Sequence, residues 1–80
     1  MKTYVALAGN KAIASGGWQE CLQASSIAVT SDPNCVVKIL ALRPDDKRAK
    51  VVREVTIEGF RHIYRGRTVP VKRLMRLNHG

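Results

Sequence analysis

Apolar and polar positions alternate along most of this chain, and the period of the alternation changes twice. Residues 3–8, Thr-Tyr-Val-Ala-Leu-Ala, form a short apolar run that reads as a strand. Gly9-Asn10 is a two-residue hairpin signal, and Lys11-Ala-Ile-Ala is the expected return strand. Ser15-Gly16-Gly17 breaks the pattern. From Trp18 the period becomes helical: Trp18, Cys21, Leu22, Ser25 and Ala28/Val29 fall on one face, with Gln19, Gln23 and Ser26 on the other. Ser15 or Gly17 is the expected cap. Pro33 cannot continue a helix and disfavours helical geometry at Asp32, so the helix should end there.

The period then returns to two over residues 35–60, where two β-branched runs flank a charged turn at 43–48. This predicts a β-hairpin. In its first arm Cys35, Val37, Ile39 and Ala41 share one face. Val36, Lys38, Leu40 and Leu42 share the other, and Lys38 marks that face as the wetter one. In the second arm Val51, Val55 and Ile57 share a face with Arg53, while Val52, Glu54, Thr56, Glu58 and Phe60 are expected to face solvent. The helix should cover Val37, Ile39, Val55 and Ile57. Gly59 reads as a bulge or bend, beyond which 61–64 continues the strand. Arg65-Gly66 offers a turn. Residues 67–71 read as an edge strand, since Pro70 cannot donate to an interior ladder. Residues 72–77 read as a last strand, with a short helix as the alternative. The expected fold is α+β: an antiparallel sheet of about four to five strands with one helix packed on one face, in the order ββαβββ.

Eighty residues make one small basic domain, 1–80, with a thin core. Its large candidates include Tyr4, Leu7, Trp18, Leu22, Ile27, Val37, Ile39, Leu40, Val51, Val55, Ile57 and Phe60. Cores this thin often need a staple or a second copy, which makes a homodimer one expectation. Cys21 and Cys35 read as reduced thiols, although their spacing also allows a bridge. The start of the chain shows no signal-peptide pattern, and no run reaches the roughly 20 apolar residues of a membrane span. The expectation is a soluble, cytoplasmic protein with no membrane partner.

Charge sharpens this picture. The net charge is +8. Residues 1–42 hold three Lys/Arg against two acids, and residues 43–80 hold eleven against four. From Arg61 onward there are six bases and no acid. Such asymmetry points to an anionic partner. The candidate partner-binding residues are Arg61, Tyr64, Arg65, Arg67, Lys72, Arg73 and Arg76, with His62 nearby. Arginine grips phosphate or carboxylate with two parallel bonds, and tyrosine can stack a base. The competing reading is a solvated edge that discourages strand-to-strand aggregation.

Candidate catalytic chemistry is thin. Cys21 or Cys35 with His62 has no local signature of a nucleophilic pair. Asp45 and Asp46 read as turn chemistry, and Glu54 and Glu58 as a solvated strand face. Cys21, Cys35, His62 and His79 lack zinc-ligand spacing. Gly9-Asn10-Lys11 and Ser15-Gly16-Gly17 match no phosphate-loop fingerprint, though the second could hold an anion at the helix start. The expectation is a protein with no catalytic residues, no metal and no cofactor.

The strand at 4–8, the helix at 18–29 and the paired runs at 35–42 and 51–60 give the chain an architecture that resembles small phage-borne inhibitors of the anti-CRISPR kind. That resemblance implies a non-enzymatic inhibitor acting in the host cell cytoplasm. It would dock on a subunit of a nucleic-acid-handling complex and block its access to nucleic acid. The alternative is a module that binds DNA or RNA directly through the basic C-terminal strands. A small ribonuclease is the third reading.

Overall fold

In the computed structural model, which describes residues 3–42 and 47–71, one helix packs against an antiparallel sheet. The elements are β1 (Thr3–Ala8), β2 (Lys11–Gly16), α1 (Trp18–Ser31), β3 (Val37–Leu42), β4 (Arg48–Thr56), β5 (Gly59–His62) and β6 (Thr68–Pro70). The sheet order is β2-β1-β3-β4-β5, and β6 shares with β5 the outer edge of β4. β5 takes the Arg53–Thr56 half of that edge and β6 the Arg48–Lys50 half. The α+β architecture expected from periodicity is therefore the observed one, with six strands among the described residues.

Gly17 caps α1 in an extended conformation without a side-chain bond, and the Asp32 amide closes the other end by donating to the Ala28 carbonyl. The helix runs two residues past Val29 because Pro33 restricts Asp32 and leaves Thr30 and Ser31 free to stay helical. α1 lies chiefly over β1 and β2 and reaches β3 and β4 less. Its buried stripe, Cys21, Ser25 and Val29, meets Ala6, Val37 and Ile39. Ser25 is fully buried, and its hydroxyl donates to the Cys21 carbonyl at 2.7 Å, so its polar atom is satisfied.

The sheet has a second apolar layer on its other side. Val5, Leu7, Leu40, Ala49 and Val51 form it, with Ile63 and Val69 packed against it. The face that Lys38 marks as wet is thus dry over Leu40, which is fully buried. The chain after β5 adds Ile63 and Val69 to this layer.

Three expectations about the hairpin are corrected. The first arm begins at Val37, leaving Cys35 and Val36 outside the strand. The second concerns β4, which carries a bulge. Ile39 pairs with Arg53 and Leu40 with Val51, so Val52 is the extra residue. A bulge places two successive side chains on nearly the same side, and the alternation slips beyond it. Val52 and Val55 accordingly join the helix-side core, while Val51 joins the opposite layer. Third, the strand does not continue past Gly59. Ile57-Glu58 is a turn, and β5 runs back along β4 with Thr56 opposite Gly59 and Val55 opposite Phe60. Gly59 has φ +140°, a conformation closed to most side chains. Ile57 and Phe60 are therefore exposed rather than core, as is Ile27 on the outer face of α1.

Candidate functional site

The basic tract begins on β5 and continues through the segment joining it to β6. Arg61 stands opposite Glu54, and Glu54 opposite Lys38, which makes a charged row across β5, β4 and β3 on the helix-free face. Arg61 Nη2 lies 3.6 Å from Glu54 Oε1, with the arginine side chain 73% exposed. An exposed pair of this kind contributes about 0–1 kcal/mol, so Arg61 stays available to a stronger anion.

After His62 the chain leaves the ladder. The Ile63 amide donates to the Val52 carbonyl at 2.9 Å, and the Val51 amide donates to the Arg67 carbonyl at 2.9 Å. Residues 64–66 thus form an arch along the edge of β4, opposite its bulge. Ile63 anchors the arch by packing on the helix-free core. Gly66 presses against Val51, and a Cβ there would fall on the Val51 carbonyl. Close approach, not a left-handed backbone, requires glycine at this position. The chain rejoins the sheet at β6, where Arg48 Nε donates to Thr68 Oγ1 at 2.8 Å and Arg48 Nη2 to the Thr68 carbonyl at 3.2 Å.

The arch shapes two adjoining depressions on the helix-free face. The smaller, about 170 Å³, is lined by Lys38, Glu54, Ile63, Arg65 and Arg67 among others. The larger, about 400 Å³, runs from Arg67 and Thr68 past Leu40 to Asn10 of the β1–β2 turn, and Lys38 lines it too. The structure therefore brings Arg65 and Arg67 together around the smaller depression and sets Arg61 beside Glu54 on the same face. Lys72, Arg73 and Arg76 lie outside the described residues, as do the strand expected at 72–77, His79 and the Asp45-Asp46 turn.

Tyr64 takes the other side. It is 81% exposed and meets His62 edge to face, with ring centroids 4.8 Å apart. His62 pairs with Arg53 across the strands, on the helix side of the sheet. Arg53 lies between two rings, 4.7 Å from the Trp18 centroid and 4.4 Å from that of Phe60. Tyr4 extends the series, edge to face with Trp18 at 4.9 Å. Arg53 Nε is buried with no hydrogen-bond partner among the described residues. Two cation–π contacts favour the guanidinium in this half-buried position, at about 0.5–2 kcal/mol each.

Sequence reasoning leaves Lys38, Arg53 and Phe60 out of the site. Lys38 becomes part of it only through the register of β3 and β4. Arg53 did carry a signal: a charged residue among Val51, Val55 and Ile57. The two cysteines are free thiols, Cys21 buried and Cys35 partly so. Burial, helped by the nearby Glu20 carboxylate, pushes the Cys21 thiol above its ordinary value. Among the described residues no three His, Cys, Asp or Glu side chains gather as a metal site would require. Nor is any helix there long and apolar enough to cross a membrane.

Comparison with protein-family models, with curated proteins and with solved structures finds no match.

Proposed function

We propose that this chain is a non-enzymatic binding protein that takes a nucleic-acid backbone on its helix-free face. One observation carries the reading: Arg65, Arg67 and Lys38 line one depression, with Arg61 alongside on the same face. Guanidinium groups hold phosphate oxygens in pairs, and an arched segment pinned at both ends by backbone bonds presents them in fixed positions. Phosphate contact is independent of sequence and strongly dependent on salt. Fluorescence anisotropy with labelled single-stranded and duplex oligonucleotides at low salt tests it. Binding that weakens steeply with added salt is expected, and an unchanged signal at low salt with both probes would remove the reading. RNA recovered intact after long incubation is expected as well.

A second reading is an inhibitor of the anti-CRISPR kind that docks on a subunit of a nucleic-acid-handling complex. It is favoured by Ile27, a large apolar side chain 68% exposed on the outer face of α1, away from the basic tract. Exposed apolar side chains of this kind can serve as anchors in protein interfaces. Ile27→Asp leaves nucleic-acid binding unchanged under both readings, and abolishes inhibition under the second alone.

A further inference from the structure

Phe60 and His62 alternate along β5, so their rings fall on one side of it about 7 Å apart along the backbone, and Tyr64, just past the strand, joins them through its edge-to-face contact with His62. That side is the helix face, yet α1 sits over β1 and β2 and leaves this outer margin uncovered. Phe60 is 69% exposed although it rests on Arg53 and, through it, on Trp18. Held aromatic rings with a free face are what a flat partner needs. The intervening position, Arg61, points to the opposite face, and Arg65 follows it there. β5 is the last strand of its path, and no further strand among the described residues pairs with its outer edge. One open strand edge thus separates a row of rings from a group of guanidiniums.

From this juxtaposition we infer that β5 and its arch bind single-stranded nucleic acid, with unpaired bases stacked on Phe60 and Tyr64 and the phosphates turned toward Arg61, Arg65 and Arg67. The inference rests on the phosphate-binding reading above and adds the bases to it. Every base has a π-face, so stacking of this kind tolerates any sequence. A duplex keeps its bases stacked on one another and offers none to the rings. The charge of the strand matches the arginine side of the edge. An acidic peptide would match it too, but has no flat groups for the ring side. Arg53 acts as a positioning residue: it fixes the Phe60 ring against Trp18 and touches no base.

The test uses two labelled strands of about 12 nucleotides, a length within the range one such platform covers. One carries bases, and the other is abasic with the same phosphates. The intact strand is expected to bind the unaltered protein about thirtyfold more tightly or better, the lower bound for two bases stacked at about 1 kcal/mol each. The double variant Phe60→Ala, Tyr64→Ala should bring the intact strand to the abasic level and leave abasic binding unchanged. Both side chains are largely exposed, and a circular dichroism spectrum equal to that of the parent confirms the fold. Equal binding of the two strands by the unaltered protein overturns the stacking inference and leaves the phosphate reading standing. A double variant that still prefers bases overturns it too. If neither strand binds at low salt, the phosphate reading fails as well.

Discussion

Gly66 is the residue on which the shape of the basic face turns. A methyl group there would meet the Val51 carbonyl, which is backbone and cannot swing aside. Gly66→Ala should therefore lift the arch off β4 and lower stability by about 1–3 kcal/mol, the usual cost of overpacking. A urea midpoint equal to the parent's would mean the arch accommodates it freely. Cys21 offers a second check at this scale. Its thiol is held neutral by burial above its ordinary value, whereas the unfolded chain ionises it from about pH 8.5. The stabilisation is complete below that pH and fades as pH climbs through the folded value. Replacing Cys21 by Ala should flatten the loss of stability between neutral and strongly alkaline pH. At neutral pH a thiol reagent should label Cys35 in the native protein and reach Cys21 only on unfolding, as mass spectrometry of the labelled peptides would show. Arg53 shows what a single residue conceals. Its position among valines was visible in the sequence, but its two aromatic neighbours come from α1 and β5, and pattern alone does not join them.

Among the elements, the strands and helix were legible because their hydrophobic periods are clear. The helix spacing of Trp18, Cys21, Leu22, Ser25 and Val29 holds in the structure. Two features of β4 were not legible. The bulge at Val52 leaves no mark in the sequence, because Val51-Val52 gives an apolar side chain to whichever face needs one. The turn at Ile57-Glu58 lacks turn-forming residues, and Gly59 alone announced it, in a form that reads equally as a bulge. Both differences move side chains between faces: Val51 away from the helix, and Phe60 toward it. Leu40 tests the resulting arrangement. It is fully buried in the layer that Ile63 and Val69 join, on the face that Lys38 suggests is wet. Leu40→Ala should cost about 2–5 kcal/mol, enough to unfold much of so small a domain. A change below about 1 kcal/mol, measured by denaturant titration, would be incompatible with a second core.

At the scale of the molecule, the sheet carries two unlike surfaces. One is closed by α1 except at its β4–β5 margin, where aromatic rings stand free. The other carries a second apolar layer, joined by Ile63 and Val69, beside which Arg65 and Arg67 line a depression. The charge imbalance between the two halves of the chain was readable in the sequence. Its division across one strand edge was not, because it depends on β5 turning back along β4. Of the basic residues in the tract, Arg61, Arg65 and Arg67 are those the described structure positions, and Lys38 joins them from β3. The proposed phosphate binding rests on these side chains. Its most direct measurement is the salt dependence of single-strand binding by the parent and by the triple variant Arg61→Ser, Arg65→Ser, Arg67→Ser. Each phosphate contact contributes a slope of about −0.7 in log K against log salt on a single strand. The triple variant is expected to bind more weakly, with a slope shallower by about 2. A variant with the parent's slope and affinity would contradict it.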